Sequence, residues 1–282
     1  MNQFGDYTYS RSYRGPIKAL VLDWSGTLAD AYVIAPAVVF VEVFANQGVE
    51  ISMEEARGPM GLRKDLHIKA LCEQPEIAER WKSVKGRYPG PSDVEAMFAD
   101  FVPAQLNCLR NYTTLLPGVK DTLNQLQRQG LRIGVSTGFV RSMVDVLLQD
   151  SIRQGFTPDA TVAGDEVENG ARPNPHMVYR NLDLMNISDI RSVVKCDDTV
   201  SGIGEALNAG CWGVGLVRYS NYLNINSLEE AAAMPETELA RRMAKTRAIL
   251  QQAGAHYVID SLVEIPAVIA DINQRLARGE KP

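Results

Sequence analysis

Cysteine is scarce in this chain of 282 residues, and its few copies are widely spaced. The four cysteines, Cys72, Cys108, Cys196 and Cys211, form no Cys-x-x-Cys pair. Cysteine-based structural zinc sites and small disulfide-stabilised secreted domains both rely on several cysteines at characteristic spacings. The pattern therefore argues against both kinds of protein and is typical of reduced thiols in a cytoplasmic protein.

Long apolar runs and long basic runs are also missing. No stretch reaches the roughly 18 apolar residues that cross a bilayer, and residues 1–16 lack the apolar centre of a signal peptide. The 29 Lys and Arg residues are outnumbered by 34 Asp and Glu residues, which gives a net charge of -5. We therefore expect a cytoplasmic protein whose main partner is neither nucleic acid nor a membrane.

Short apolar runs alternate with helical periodicity over most of the chain. The apolar runs predict strands over 17–22, 131–137, 160–163, 192–196, 213–217 and 256–259. Helical spacing lies between them, over 119–129, 140–154, 175–185, 202–209, 228–254 and 262–276. Such alternation predicts an α/β fold with a doubly wound, Rossmann-like parallel sheet that is covered by helices on both faces.

One long segment interrupts this alternation. Helical spacing without any convincing strand fills residues 33–110, in stretches over 37–46, 53–57, 62–72, 77–85 and 92–112. We therefore predict an inserted α-helical cap domain over 33–110 and an α/β core over 16–32 and 111–282. Residues 1–15 are predicted to be an N-terminal extension.

Polar residues follow several of the predicted strands. Asp23 ends the first strand, Thr137 and Gly138 end the second, and Asp198 follows the fourth, while Arg172 lies in a loop. In a parallel sheet these ends share one edge, where ligands bind. Each residue alone is typical of a cap, a turn or a solvated charge. Together they predict a site for one phosphoryl group and one Mg²⁺.

The order of these residues resembles the four motifs of the haloacid dehalogenase superfamily, beginning with Asp23-x-x-Gly26-Thr27. The resemblance implies that Asp23 is the nucleophile and forms an aspartyl-phosphate. It implies that Thr137, Gly138 and Arg172 bind the phosphoryl group. It also implies that Mg²⁺ is bound by Asp23, Asp198 and the backbone carbonyl of Ser25.

Ser25 stands where most phosphatases of that superfamily have an aspartate that protonates the leaving alcohol. A serine hydroxyl cannot act as a general acid near neutral pH. Hydrolysis of an ordinary phosphate ester would therefore lack its proton donor, unless the leaving group needs none.

A segment of the insert suggests a different leaving group. Met60, Lys64 and His67 have the spacing i, i+4 and i+7 that places side chains on one stripe of a helix. A lysine whose pKa is lowered by burial can form a Schiff base with a carbonyl substrate. The alternative is that Lys64 and His67 are ordinary surface residues.

The segment 58–67 is similar to the corresponding segment of the phosphonoacetaldehyde hydrolase family, as are 23–27, 35–40, 54–57 and 254–256. The resemblance implies that Lys64 forms the Schiff base, that His67 transfers protons, and that Met60 and Gly61 contact a small phosphonate substrate. It also implies a homodimer, for which the apolar helix over 37–44 is a candidate contact.

The chain departs from that family at four positions. Phe139 replaces a usual tyrosine, and Val33 replaces a frequent cysteine. The fourth motif reads Asp197-Asp198-Thr199 with Gly202 later, where the family usually has Gly-Asp-Thr and a later aspartate. Asp198 is therefore the first candidate for the metal and Asp197 the second.

Three functional hypotheses follow. The first is hydrolysis of the C–P bond of phosphonoacetaldehyde. The second is a phosphatase-like hydrolase of a related phosphonate or phosphate ester, in which Lys64 only binds charge. The third is a non-catalytic protein that retains the fold. Ser25 argues against the second. The third is opposed by the presence together of Asp23, Lys64, His67, Arg172 and Asp198.

Overall fold

A computed structural model describes residues 12–282, and a six-stranded sheet forms its centre. The strands are β1 (Ala19–Leu22), β2 (Arg132–Thr137), β3 (Ala160–Ala163), β4 (Val193–Asp197), β5 (Trp212–Leu216) and β6 (Tyr257–Ile259). Their order is β3-β2-β1-β4-β5-β6, and each neighbouring pair is parallel. The predicted doubly wound parallel sheet is therefore confirmed.

The long connection between β1 and β2 contains helices and no strand. Residues 33–110, all of which are described, contain no strand. Their helices are α1 (Ile34–Asn46), α2 (Met53–Arg57), α3 (Lys64–Cys72), α4 (Pro75–Lys85) and α5 (Pro91–Leu109). We call residues 33–110 the helical insert. Its all-helical character matches the prediction, while the domain boundaries at 32/33 and 110/111 stay a prediction.

The remaining helices connect and cover the strands. They are α6 (Val119–Arg128), α7 (Arg141–Arg153), α8 (His176–Leu184), α9 (Val200–Ala209), α10 (Leu228–Ala233), α11 (Glu236–Gln252) and α12 (Ile265–Ala277). Among the described residues, no helix is both long and apolar enough to cross a membrane.

The central strand β1 shows why the sheet is covered on both faces. Successive strand residues point to opposite faces. Leu20 and Leu22 join the core that includes α6, α7, α12 and much of the helical insert. Ala19 and Val21 join a second core with α8 and α9. A strand that is buried on both sides must be apolar throughout, as this one is.

Two predicted helices differ from the structure. The region 228–254 forms two helices because Met234 is extended before Pro235, and the residue before a proline avoids the helical conformation. Helix α3 begins at Lys64 rather than at residue 62, so Met60 lies in the preceding turn. The predicted helical stripe through Met60, Lys64 and His67 is therefore wrong for Met60.

The apolar face of helix α1 is buried against other helices of the same chain. Val39, Phe40, Val43 and Phe44 are buried in the core, where α1 packs against α5. These four side chains are therefore engaged within the chain, and a subunit contact through the helix over 37–44 stays a prediction.

The predicted N-terminal extension lies mostly outside the described residues, since residues 1–11 are not described. Within the remainder, the Tyr13 hydroxyl donates a hydrogen bond to the Pro16 carbonyl at 2.6 Å, and the Tyr13 ring packs against the core.

Candidate active site

The carboxyl ends of β1, β2 and β4 meet at one edge of the sheet beneath the helical insert. A cleft with about 290 Å³ of empty space, part of it open to solvent, lies there. It is lined by Asp23, Ser25, Val33, Pro36, Met60, Gly61, Lys64, Thr137, Gly138, Phe139, Arg172, Asp198 and Thr199. Every predicted site residue except His67 is in this set. Val33, Pro36 and Thr199 were not predicted as site residues, since each resembles an ordinary core or cap residue in sequence.

Arg172 is the cation nearest to the proposed nucleophile. Its side chain is 1% exposed, and its Nη2 donates to Asp23 Oδ1 at 2.8 Å. Its Nε and Nη1 face Glu205 Oε2 at 3.1 Å and Asp197 Oδ2 at 3.2 Å. Burial would lower the pKa of Arg172, but Asp197, Asp23 and Glu205 raise it well above its usual value. The guanidinium is therefore a fixed positive charge beside Asp23.

A layer of charged residues behind the cavity was missed by the sequence analysis. Lys195 is fully buried, with its Nζ 2.7 Å from Asp197 Oδ2 and 3.5 Å from Glu205 Oε2. Ser136 Oγ also donates to Glu205 Oε2 at 3.0 Å. The available signal was Lys195 itself, because a lysine inside an apolar strand must be paired when it is buried.

The carboxylates at this edge form a cluster suited to a cation. Asp23, Asp197 and Asp198 each offer an oxygen, and these oxygens lie within 4.8 Å of one another. Asp198 Oδ1 is buried without a hydrogen-bond partner, and its Oδ2 accepts from the Asn221 backbone N–H at 2.8 Å. Burial and the nearby charges of Asp197 and Asp23 raise the pKa of Asp198 well above its usual value. A divalent cation would relieve the repulsion among these carboxylates and would bind the unpartnered Asp198 Oδ1.

Lys64 extends from the first turn of α3 into the cavity and is only 4% exposed. Its Nζ lies 4.6 Å from the centroid of the Phe139 ring and 5.8 Å from that of Phe40. Burial lowers the pKa of Lys64 to about 8, with Asp23 acting to raise it and Arg172 to lower it. The alternative that Lys64 is a surface residue is therefore wrong.

His67 lies one turn further along α3 and is fully buried outside the cavity lining. Its ring stacks on Phe40 at 3.8 Å between centroids, and its Nε2 is 2.9 Å from the Ala56 carbonyl oxygen. Since that oxygen can only accept, Nε2 carries the proton and Nδ1 is left without a partner. Burial and the charge of Lys64 lower the pKa of His67 well below its usual value.

The turn before α3 presses closely against the sheet edge. Gly61 has φ +94°, and a Cβ there would collide with the Thr199 hydroxyl. A Cβ on Gly138 would meet the carbonyl of Leu62. Glycine at both positions therefore allows the helical insert to close over the cavity, with buried Met60 at its rim.

Comparison with known proteins gives the family. The haloacid dehalogenase-like hydrolase family matches residues 17–210. A phosphonoacetaldehyde hydrolase of Pseudomonas putida is 42% identical over 273 residues, covering 96% of this chain and 98% of that protein. One from Syntrophobacter fumaroxidans is 39% identical over 276 residues, covering 98% and 99%. The chain belongs to the phosphonoacetaldehyde hydrolase family of the haloacid dehalogenase superfamily.

A solved structure agrees with this membership. A phosphonoacetaldehyde hydrolase-like protein from Oleispira antarctica superposes with a TM-score of 0.95 at 35% identity, covering 99% of this chain and 100% of that chain. As a member of this family the chain is an enzyme, and the non-catalytic hypothesis is excluded. Hydrolases of the superfamily generally use a divalent metal, and the carboxylate cluster could bind one.

Proposed function

We propose that this enzyme hydrolyses the C–P bond of phosphonoacetaldehyde to give acetaldehyde and phosphate. One observation carries the proposal: the Lys64 amine, its pKa lowered to about 8, lies buried in the same cavity as Asp23. The cavity also has no carboxyl group at position 25 to protonate an alcohol. Both features suit a substrate whose leaving group is a carbon next to an aldehyde, as in the substrate that the names of the relatives state.

The phosphonate group would lie against Asp23 and Arg172. The Arg172 guanidinium, together with Thr137 and the Gly138 backbone, would bind the phosphoryl oxygens. Arg172 already holds Asp23 Oδ1 at 2.8 Å, which keeps the carboxylate fixed before it attacks phosphorus. This supports Asp23 as the nucleophile.

Lys64 would supply the electron sink. Its neutral amine attacks the aldehyde and loses water to form an iminium ion. When an Asp23 oxygen bonds to phosphorus, the C–P electron pair moves into that iminium and leaves an enamine. Protonation of the enamine carbon and hydrolysis then release acetaldehyde from Lys64. A second water hydrolyses the aspartyl-phosphate and releases phosphate.

His67 would transfer protons for Lys64. Its Nδ1 is a buried acceptor without a partner, and the charge of Lys64, one turn earlier on α3, lowers the pKa of His67. We propose that Nδ1 receives a proton from the Lys64 side and returns it during hydrolysis of the iminium. Because His67 does not line the cavity, it would act on the amine and not on phosphorus.

We also propose that the cation is one Mg²⁺, bound by Asp23, Asp198 and the carbonyl oxygen of Ser25. The unpartnered Asp198 Oδ1 supports this, since Mg²⁺ prefers oxygen ligands. The bound cation would neutralise charge on the phosphoryl oxygens. Both oxygens of Asp197, the second candidate, already accept hydrogen bonds from other side chains.

Borohydride trapping tests the proposal against phosphate-ester hydrolysis. With phosphonoacetaldehyde present, borohydride should inactivate the enzyme and leave substrate carbon on Lys64, as peptide mapping would show. Lys69, exposed on the same helix, is the internal control and should remain unlabelled. Phosphate release without any label, or a label at Lys69 alone, would show that the enzyme does not use Lys64 as a Schiff base.

We further propose a cytoplasmic homodimer. The family resemblance supports the dimer, and the four free cysteines among the described residues support a reducing compartment. Static light scattering should give twice the chain mass of 31.0 kDa across the micromolar range. A mass of one chain at every concentration would contradict the dimer.

A further inference from the structure

Gly202 and Asp197 share one small volume behind the cavity. Gly202 lies in the first turn of α9, and Asp197 ends β4. A Cβ built on Gly202 would fall on the Asp197 carboxylate, closer than any real Cβ approaches a neighbouring atom. The glycine therefore leaves the space that the carboxylate fills, and any side chain at 202 would displace the carboxylate.

The Asp197 carboxylate is fully engaged within that volume. Its Oδ1 accepts from the backbone N–H of Thr199 at 3.0 Å and from the Thr199 hydroxyl at 2.7 Å. Its Oδ2 accepts from Lys195 Nζ at 2.7 Å and lies 3.2 Å from Arg172 Nη1. The Asp197 carboxylate is therefore paired with two buried cations, Lys195 and Arg172.

These contacts make Asp197 the link between two buried cations. Arg172 Nη1 faces Asp197, while its Nη2 faces Asp23 Oδ1. Without Asp197, the nearest carboxylate to Lys195 Nζ would be Glu205 at 3.5 Å, which also pairs with Arg172. The two cations would then compete for one carboxylate, and the guanidinium would lose one of the contacts that orient it, the one made by Nη1.

We propose that Asp197 is a positioning residue that holds the Arg172 guanidinium against Asp23, and that Asp197 and Gly202 form an interchangeable pair supplying one carboxylate. A side chain at 202 starts where the Asp197 carboxylate now lies, so either position can bring a carboxylate to this space. The aspartate at 197 and the glycine at 202 are then a complementary pair, in which the side chain of one fills the space that the other leaves open. The proposal rests on the proposed function only in assigning the phosphoryl group to Arg172.

A reciprocal exchange tests this inference. The readouts are the Kd of inorganic phosphate in the presence of Mg²⁺, by calorimetry, and kcat and KM with phosphonoacetaldehyde. Asp197→Asn preserves the shape of the side chain and removes its charge, and should weaken phosphate binding about 10-fold or more, as expected for a charged hydrogen bond. Asp197→Gly should weaken it at least as much. Asp197→Gly with Gly202→Asp should recover most of the loss.

A neutral partner provides the matched control. Asp197→Gly with Gly202→Asn fills the same space without charge and should not recover phosphate binding. Thermal unfolding of each variant separates lost folding from lost positioning, and Asp197→Asn keeps the test valid if the glycine variant fails to fold. Equal phosphate binding by the Asp and Asn double variants, or by Asp197→Asn and the wild type, would overturn the proposal.

Two further outcomes distinguish a failure of the positioning role from a failure of the proposed function. If Asp197→Asn left phosphate binding intact and weakened Mg²⁺ binding instead, Asp197 would be a metal ligand and the positioning role would be refuted. If the phosphate results followed the expected pattern while the wild type failed to cleave phosphonoacetaldehyde, the proposed function alone would fail.

Discussion

Arg57 in the helical insert and Asn221 in the α/β core form a reciprocal pair of hydrogen bonds. Arg57 Nη1 donates to Asn221 Oδ1 at 3.2 Å, and Asn221 Nδ2 donates back to the Arg57 carbonyl at 3.0 Å. The backbone N–H of Asn221 donates to Asp198 Oδ2 at 2.8 Å. One residue of the core therefore contacts both the closed insert and the carboxylate proposed to bind Mg²⁺.

Arg57→Lys should loosen this connection. The buried guanidinium also donates to the carbonyls of Tyr32 at 2.5 Å and Ile225 at 2.6 Å. A lysine amine preserves the charge but cannot reach these separate acceptors at once. We expect kcat/KM to fall about 10-fold or more and the Mg²⁺ concentration for half activity to rise. Arg80→Lys, which alters a partly exposed pair with Glu55 in the same insert, is the control and should have little effect. Equal effects of the two variants would contradict a specific link.

The site residues at the carboxyl ends of the strands could be predicted from the sequence. Asp23, Thr137 and Asp198 lie at the carboxyl ends of strands that are neighbours in the sheet, so their convergence requires only that the strands be parallel. Lys64 was identified because the segment 58–67 resembles the corresponding segment of the family. Its burial was not predictable, because one helical turn does not show which face the insert presents to the core.

The supporting residues were not predictable in the same way. Asn221 and Arg57 are far apart in sequence, and neither belongs to a periodic pattern that would identify it. The contact between Asp197 and Gly202 depends on the path from β4 into α9. The predicted helical stripe was wrong for Met60 because Gly61, with φ +94°, is not helical and the helix begins only at Lys64. Such contacts depend on tertiary packing, which local spacing does not encode.

Asp198→Asn should separate metal binding from folding. The amide can still accept from the Asn221 N–H but lacks the charge that binds Mg²⁺, so we expect Mg²⁺ affinity to fall by about 100-fold or more. Because burial, Asp197 and Asp23 raise the pKa of Asp198, its charged form is unfavourable without a cation. In EDTA the variant should therefore unfold at a higher temperature than the wild type. Calorimetry and thermal denaturation test both statements, and unchanged Mg²⁺ affinity would exclude Asp198 as a ligand.

Lys64→Arg separates Schiff-base chemistry from simple charge binding. Arginine keeps the positive charge but cannot form an iminium ion, so C–P cleavage should be almost wholly lost. If Lys64 only bound phosphate, the loss would be nearer 10-fold, about 1.4 kcal/mol of transition-state stabilisation. Asp23→Ala should show the opposite defect, with borohydride labelling of Lys64 retained and phosphate release abolished. Substantial cleavage by Lys64→Arg would contradict the iminium mechanism.

The pH dependence of Lys64 labelling should reveal its buried environment. Only the neutral amine attacks the aldehyde, and burial lowers the pKa of Lys64 to about 8, so the labelling rate should rise with pH through about 8. The charge of Asp23 acts to raise that pKa. In Asp23→Ala the midpoint should therefore move to lower pH.

The measurement is the rate of borohydride inactivation or labelling at each pH, with EDTA present so that no bound cation contributes to the shift. Lys69→Met removes the exposed lysine of the same helix and should leave the midpoint unchanged. His67 should add no limb near its ordinary pKa, because burial and the Lys64 charge lower its pKa well below that range. A midpoint typical of an exposed lysine, or one that rises in Asp23→Ala, would show that Lys64 does not react from this buried position.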